Sequence, residues 1–515
     1  MTAYRARCLP SQRGPAGWDV ILPPRTPGLA LEQDRTADVT IIGGGFAGLA
    51  AARRLTQLDS TARIVILEAG RIAGGAAGRN SGFMIDLPHE LTSEDYASAG
   101  DDRALIALNR QAQAFAGAAV EDYGIDPNFF DRAGKVNGAA SDTARAHNVS
   151  YAKHLETLGE TSELLDAKAM HDLTGSRHYR SGLYTVGTVM LQPAGFVRGM
   201  ADGLARDGVA IYEDSPALGF QRDGGAWIID TGGARVTTGK IILTVNGHLE
   251  SFGVRPGRLM HLFLFACMTE ELDADALKRL GGQSRWGITP SDPMGTTMRR
   301  IDPGQGGNRI VTRTCAALRS GMASKPTDLT RAARVMRRKF DARFPQLAGT
   351  PMQHCWAGQL CLSMNGVSVA GEIDDNVFSG CVQNGLGTAR GTLTGIAAAE
   401  LAMGEASDIT RHFTAEAEPT RLPPATVPRR RCEYSDPLEG VEGAGRVTDA
   451  TRNSTLAAIQ ISGEGTTRDA LSVLALKANP HHAVRPLSFR ARRCLPGRRC
   501  AQTRRTPNVP PAPWR

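Results

Sequence analysis

The fold of this chain is decided by residues 38–52, Asp-Val-Thr-Ile-Ile-Gly-Gly-Gly-Phe-Ala-Gly-Leu-Ala-Ala-Ala. The pattern predicts a short apolar strand that runs directly into a helix, with Gly43, Gly45 and Gly48 at the joint. A second apolar strand follows over 63–67 and ends on an acidic residue. Strand, glycines, helix, strand and acid in this order predict a dinucleotide-binding βαβ unit.

Each part of this pattern has its own physical role. Gly43 makes the tight turn, Gly45 lets the backbone approach a pyrophosphate, and Gly48 lets the helix pack closely on the strand. The free N–H groups and the dipole at the helix N-terminus favour the phosphate charge. Glu68, twenty residues beyond Gly48, is placed to accept hydrogen bonds from the ribose hydroxyls of an adenosine. The alternative is an ordinary glycine-rich βα turn, which the complete pattern disfavours.

A glycine-rich loop, Ala-Gly-Arg-Ile-Ala-Gly-Gly-Ala-Ala-Gly-Arg-Asn-Ser-Gly over 69–82, follows that acid. With this loop the chain resembles the amine- and amino-acid-oxidising flavoproteins of the D-amino-acid oxidase superfamily, in particular the gamma-glutamylputrescine oxidoreductase-like branch. The resemblance implies that FAD is the dinucleotide and that the loop wraps its pyrophosphate and passes beside the flavin. Ala77 stands where the family usually has Ser, and Ser81 where it usually has Gly. The loop residues implied to bind FAD are Gly75, Gly78, Arg79, Asn80, Ser81 and Gly82.

Two segments in the middle of the chain are also implied to reach FAD. The strand 209–212 resembles one that returns to the nucleotide domain, where the residue matching Val209 meets the adenine through its backbone. The strand 240–246 ends in Asn246-Gly247, and the family has a similar Thr-Asn-Gly close to the dinucleotide. Asn-Gly is also a common hairpin signal. Its position after a buried strand favours the cofactor interpretation.

A second glycine turn lies near residue 385. Trp356-Ala-Gly358 resembles the Trp-x-Gly of the family, and Gly385, Gly387 and Thr388 match the turn before its last flavin-domain helix. Reduced flavin carries negative charge at N1 and C2=O, which the N–H groups of a helix N-terminus can stabilise. The alternative is an ordinary glycine-capped turn.

Residues 257–345 are predicted to cover the substrate side. Candidate substrate contacts are His261, beside the apolar strand 259–268, and Trp286. A lone histidine in such a place is more often structural than catalytic, so the catalytic residues stay open. The basic run 331–339 is better explained by a solvated helix face than by a nucleic-acid patch. No nucleic-acid partner is expected.

We expect FAD to be held non-covalently. The thiols near the flavin motifs are Cys355, Cys361 and Cys381, and none occupies a motif position that matches a tether. His89 is the only nearby imidazole in sequence, and Leu87-Pro88 before it indicates a turn that leads away from the ring.

The charge is divided unevenly along the chain. Residues 425–515 contain 16 Lys and Arg against 7 Asp and Glu, whereas residues 1–424 contain 44 against 45. The resemblance to the family stops at Pro424, where relatives continue with an apolar helix. We expect a mostly disordered, non-native tail that arose from a shifted reading frame near residue 425. A nucleic-acid-binding arm is the alternative.

Composition favours a cytoplasmic enzyme. The N-terminus lacks the apolar region of a signal peptide, and no run approaches the length of a membrane span. The nine cysteines show neither a Cys-x-x-Cys pair nor metal-ligand spacing, so reduced thiols and no metal are expected. Residues 11–35 are proline-rich and irregular, which predicts an arm that lies over the surface.

The expected architecture is α/β, with a discontinuous Rossmann-like FAD-binding domain and an α+β substrate domain. The predicted segments are an arm (1–35), FAD-binding parts (36–100, 181–256, 351–424), substrate parts (101–180, 257–350) and the basic tail (425–515).

The resemblance implies oxidation of a C–N bond in an amine or amino acid, with hydride transfer to flavin N5. A polyamine derivative such as gamma-glutamylputrescine is the favoured substrate, and electrons then pass to oxygen or another acceptor. Two alternatives remain open. One is a dehydrogenase subunit that passes electrons to a partner, similar to a taurine or D-amino-acid dehydrogenase. The other is a truncated, inactive flavin-binding product.

Overall fold

The computed structural model describes residues 3–88, 100–291 and 295–423. The tail predicted for 425–515 lies outside these residues. Its expected disorder and its expected origin from a shifted reading frame therefore stay predictions. His89 also lies outside the described residues.

The strands of the described residues are, in chain order, β1 (Ala3–Arg5), β2 (Arg35–Ile42), β3 (Ile64–Leu67), β4 (Phe83–Met84), β5 (Phe130–Asp131), β6 (Lys135–Ala139), β7 (Ser162–Asp166), β8 (Ser181–Thr185), β9 (Val189–Leu191), β10 (Ala210–Tyr212), β11 (Gly219–Asp223), β12 (Ala226–Asp230), β13 (Arg235–Leu243), β14 (Leu259–Thr269), β15 (Trp286–Pro290), β16 (Thr297–Ile301), β17 (Arg309–Leu318), β18 (Met352–Ser363), β19 (Val369–Asp374) and β20 (Val377–Cys381). The helices are α1 (Gly17–Val20), α2 (Phe46–Leu58), α3 (Asp102–Tyr123), α4 (Asp142–Leu158), α5 (Ala167–Thr174), α6 (Pro193–Arg206), α7 (Ala274–Leu280), α8 (Pro326–Arg343), α9 (Ala389–Met403) and α10 (Asp408–Thr414).

A nine-stranded sheet forms the nucleotide-binding half. Its order is β1-β11-β12-β13-β2-β3-β10, and β20 joins β13 and carries β19. The pairs of β2 with β3 and β13, of β3 with β10, and of β13 with β20 are parallel. Parallel strands are covered on both faces, which explains why 39–42 and 64–67 are buried without interruption and are apolar except for Thr40. This sheet confirms the discontinuous Rossmann-like fold, because its strands come from three separated stretches of the chain.

An eight-stranded sheet forms the substrate half, in the order β18-β14-β17-β16-β15-β6-β8-β7. Most of its pairs are antiparallel, whereas β15 and β6 are parallel. One face packs against the nucleotide-binding half through Ala266, Met268 and Trp356. The helix α8 covers β14, β17 and β18 on the other face. The predicted domain boundaries within these halves stay a prediction.

The periodic helices lie close to the predicted bounds because each has a side-chain cap. Asp101 accepts hydrogen bonds at the start of α3, and Ser141 does so at the start of α4. In α8, Asp328, Ala332, Met336 and Phe340 are buried, and the remaining residues are exposed or partly exposed. That division fits a solvated basic face.

The N-terminal arm lies over the surface, as the sequence predicts, since all of residues 11–35 are exposed or half-buried except Ala16, Gly17, Trp18 and Leu31. β1 pairs with β11 at the edge of the nine-stranded sheet. Trp18 is fully buried, and its Nε1 donates a hydrogen bond to the Asn80 carbonyl at 2.8 Å. The arm is therefore a surface segment that is anchored in the core through Trp18.

Cys267 and Cys355 lie opposite one another on β14 and β18 and form a disulfide. The expectation that all cysteines are reduced thus differs from the structure at Cys267 and Cys355. None of the helices in the described part of the chain has the length and apolarity that crossing a bilayer requires. Residues 3–88, 100–291 and 295–423 also contain no cluster of three or more His, Cys, Asp or Glu side chains suited to a metal ion.

Candidate active site

A cavity of about 580 Å³ lies between the two halves. Its walls come from the fingerprint turn, the glycine-rich loop, the start of α9, the N-terminal arm and the strands β18, β14 and β17 at one edge of the eight-stranded sheet. The sequence-predicted residues that line it are Gly43, Gly45, Glu68, Gly75, Arg79, Asn80, Ser81, Asn246, Gly385 and Gly387.

The fingerprint turn is held by close backbone packing. Gly43 has φ +107°, and a Cβ there would lie 2.9 Å from the Thr244 carbonyl oxygen. Gly48 does not line the cavity, but its Cβ would lie 1.9 Å from the Gly43 carbonyl oxygen. Only glycine allows α2 to begin this close to β2, so the helix N-terminus points its N–H groups into the cavity.

Glu68 closes the turn at the end of β3. Its Oε2 accepts a hydrogen bond from the Gly44 N–H at 2.8 Å, and its Oε1 accepts one from the Gly70 N–H at 3.0 Å. Burial raises the pKa of Glu68, and these two backbone hydrogen bonds oppose that rise. The carboxylate therefore lies at the cavity wall, where it can accept hydrogen bonds from ribose hydroxyls.

Glu68→Ala is expected to weaken FAD binding by roughly ten- to a hundredfold, because each charge-assisted hydrogen bond contributes about 1.5–3 kcal/mol. Flavin reduction in the loaded fraction should change little, since the ribose is remote from the ring. NADP should not substitute, because a carboxylate repels a 2′-phosphate. Fluorescence titration of the apoprotein with FAD measures the affinity, with the exposed Glu405→Ala as the control. Unaltered affinity in Glu68→Ala would remove Glu68 from the site.

The glycine-rich loop is fastened by its own side chains. Arg79 donates from Nε to the Gly74 carbonyl at 2.7 Å and from Nη1 to the Gly14 carbonyl at 2.9 Å. Asn80 donates to the Ala77 carbonyl at 2.6 Å and accepts from the Gly82 N–H at 2.7 Å. Burial lowers the pKa of Arg79 to about 10. Both side chains thus fix the shape of the loop.

Arg299 supports the loop from β16. The buried guanidinium donates to the carbonyls of Gly82 at 3.0 Å and Leu191 at 2.9 Å. It lies 5.3 Å from the ring centroid of Trp18 and 5.5 Å from that of Phe83. Burial lowers its pKa to about 9. One cation therefore joins the arm, the loop and the substrate sheet.

Several predicted residues do not line the cavity: Gly48, Gly78, Gly82, Val209, Gly247 and Thr388. The glycines among them are packing positions; a Cβ at Gly78, for example, would lie 1.9 Å from the Ala73 carbonyl oxygen. Thr388 donates a hydrogen bond to the Phe83 carbonyl at 2.7 Å and precedes α9. Val209 is buried away from the cavity, whereas Ala217 further along the chain lines it.

Asn246 begins a 3₁₀ helix, 246–252, instead of turning a hairpin. Its Oδ1 is buried and has no hydrogen-bond partner among the residues that the structure describes, and the same holds for Nδ1 of His248 and Nε2 of Gln359. All three residues line the cavity. Buried polar atoms normally have partners, so these atoms indicate a polar ligand.

Open space in front of two glycines also fits a dinucleotide. A Cβ at Gly75 or Gly387 would meet no protein atom within 4 Å, although both residues line the cavity. The N-termini of α2 and α9 lie beside these walls through Gly45 and Gly391. The cavity thus offers N–H groups, unpartnered polar atoms and free volume together, which fits FAD.

The two candidate substrate contacts lie elsewhere. The His261 Nε2 is 2.6 Å from Glu250 Oε2, and its ring packs against Gly247. Trp286 stacks on Phe344 in the core of the substrate half. Neither residue lines the cavity. The structural interpretation of His261 is therefore favoured.

Sequence reasoning missed Arg313. This residue lies on β17, opposite Ala266 of β14, and lines the cavity. Its Nη1 is 3.4 Å from Thr297 Oγ1, and it forms no ion pair with any residue that the structure describes. Burial lowers its pKa to about 10, so the side chain stays cationic at neutral pH. A charged residue within the apolar alternation of 309–318 was the available signal.

The thiols near the cavity are not reactive. Cys355 is in the disulfide, and Cys381 donates a hydrogen bond to the Leu243 carbonyl at 3.2 Å. Cys361 lines the cavity, but burial raises its pKa well above the ordinary range. A thiol that stays protonated is a poor nucleophile, which is consistent with non-covalent FAD.

The doubly wound sheet and this cavity define a flavoprotein oxidoreductase. Residues 38–401 match the DAO family, described as FAD dependent oxidoreductase, and the chain belongs to that family. It is therefore an FAD-dependent oxidoreductase.

Similar proteins agree with this assignment. The chain is 25% identical to the probable oxidoreductase OrdL of Rhizobium meliloti (strain 1021), over 78% of this chain and 91% of that protein. It is 26% identical to the gamma-glutamylputrescine oxidoreductase of Escherichia coli (strain K12), over 73% and 86%. The solved structure of glycine oxidase from Geobacillus kaustophilus matches with a TM-score of 0.60 at 16% identity, over 72% and 96%. The last likeness shows the fold alone.

Proposed function

We propose that this enzyme oxidises the C–N bond of an amine that carries a carboxylate, either an amino acid or a polyamine derivative such as gamma-glutamylputrescine. The observation that carries the proposal is Arg313, a cation in the cavity wall without a carboxylate partner among the described residues. Arginine presents a planar pair of donors that matches a carboxylate. A substrate carboxylate would complete this pairing.

The remaining residues are assigned by the same proposal. The cavity-lining residues of the fingerprint, the loop and the α9 turn bind FAD non-covalently, and Ala217 takes the adenine contact expected for Val209. FAD supplies the two-electron acceptor for the C–H bond beside nitrogen. The charge of Arg313 disfavours an ammonium nearby, so it favours the neutral amine that oxidation requires.

Arg313→Leu is expected to lower kcat/KM for a carboxylate-bearing amine by roughly a hundred- to ten-thousandfold, the value of two charge-assisted hydrogen bonds. The matched amine without a carboxylate should lose much less activity, because it loses only the effect of the cation on the protonation of the amine. Flavin absorbance should show full FAD loading, and peroxide should be measured under air to identify oxygen as acceptor. The control is Arg334→Leu, an exposed arginine of α8. An equal loss for both substrates would contradict the assignment.

A further inference from the structure

The N-terminal arm forms part of the wall of the cofactor cavity. Leu9, Pro10 and Gln12 line the cavity together with residues of both halves. This segment precedes residue 38, where the match to the family begins. It is therefore a cavity wall that the family resemblance does not supply.

This segment of the arm is anchored on the nucleotide-binding side. Ser251 Oγ accepts hydrogen bonds from the N–H groups of Arg7 at 2.8 Å and Cys8 at 3.2 Å. The same hydroxyl donates to the Cys8 carbonyl at 2.9 Å. One serine thus holds two consecutive residues of the arm.

A second set of anchors lies on the substrate side. Gln12 Oε1 accepts a hydrogen bond from the Gln359 N–H at 2.9 Å, and the Ala357 N–H donates to the Arg13 carbonyl at 2.8 Å. Gly14 has φ +78°, and a Cβ there would lie 2.1 Å from the Cys355 carbonyl oxygen. Its own carbonyl accepts from Arg79 of the glycine-rich loop.

We propose that residues 8–14 form a strap that must lift for FAD to enter or leave the cavity. Residues 9 and 10 line the cavity between the two anchors, and their side chains would contact the bound dinucleotide. FAD beneath the strap favours the closed state, and the closed strap slows dissociation. The strap thus controls how fast the cofactor exchanges.

Loosening both anchors in Ser251→Ala/Gln12→Ala is expected to raise the FAD dissociation rate constant by roughly tenfold or more, because several hydrogen bonds are lost. The association rate constant should rise as well, because the apoprotein would be open for more of the time. A site that was merely weakened would release FAD faster without binding it faster. Stopped-flow flavin fluorescence measures both rate constants, with Tyr4→Phe as a control that loses only the hydrogen bond to Asp374.

Limited trypsin digestion of the unaltered protein gives an independent test. Arg7 and Arg13 are exposed at the two ends of the strap, and intact-mass measurement reports cleavage after each. Saturating FAD should slow both cuts and leave cleavage after the exposed Arg180 unchanged, since Arg180 does not line the cavity. The strap proposal would be overturned if FAD did not slow cleavage after Arg7 and Arg13. Unchanged rate constants in the double variant would overturn it as well.

Discussion

Replacing Gly48 by alanine is expected to lower the affinity for FAD by roughly tenfold to a hundredfold, so that the purified protein loses much of its yellow colour. The added Cβ would lie 1.9 Å from the Gly43 carbonyl oxygen and 2.9 Å from Thr244 Oγ1. One of these contacts is backbone, so α2 must move away from β2, and overpacking of this kind costs about 1–3 kcal/mol. The displaced helix would carry its N–H groups away from the pyrophosphate.

Flavin absorbance after purification and titration of the apoprotein with FAD check this result. The control is Gly225→Ala, since Gly225 has ordinary φ and a Cβ there would meet no atom within 4 Å. Circular dichroism should show that Gly48→Ala still folds. Full FAD loading of Gly48→Ala would mean that the strand and helix are not held as closely as described.

Lys135→Met is expected to stabilise the protein at pH 6 by at most about 5 kcal/mol, with the gain shrinking as pH rises. Lys135 is buried on β6, and its Nζ donates to neutral oxygens, Asn137 Oδ1 and Thr289 Oγ1. Burial lowers the pKa of Lys135 from 10.5 to about 7, against the weaker opposing effect of Asp86. The lost hydrogen bonds offset part of the gain at every pH.

The direction of the pH dependence follows from proton counts. Below about pH 7 Lys135 is charged in both states, so the full cost of a buried charge is present. Between pH 7 and 10.5 the unfolded chain holds one more proton than the folded protein, so the unaltered protein gains stability as pH rises. Urea unfolding of the apoprotein at several pH values measures the difference. The exposed Lys153→Met is the control, and a difference independent of pH would refute the shifted pKa.

Much of the fold could be predicted because its signals are local. The bounds of α3 and α4 follow from apolar periodicity and capping residues, and β12 and β20 lie at the predicted residues. The strand β13 begins at Arg235, before the predicted Lys240, because its first half pairs with β12. Such pairing depends on the adjacent strand, so the sequence of β13 alone gives little indication of it.

The candidate site also contains residues that the sequence predicts and residues that it does not. The fingerprint and the glycine-rich loop are contiguous in sequence, so their residues could be recognised together. Arg313 is one arginine in a strand, and its position in the cavity depends on the register of β17 with β14. Trp18 lies in a proline-rich stretch without periodicity, and its burial depends on partners far along the chain. Long-range contacts decide both cases.

The joining of the arm to Arg299 and to Ala357 and Gln359 also has a consequence for biosynthesis. The ribosome makes Trp18 early, but Gln359, the last of these partners, follows 341 residues later. At about 5–20 residues per second, that interval lasts roughly 20 to 70 s. The nascent chain thus completes its nucleotide fingerprint long before the residues that bind the N-terminal arm have been made. The proposed strap can therefore retain FAD only after Gln359 has been made.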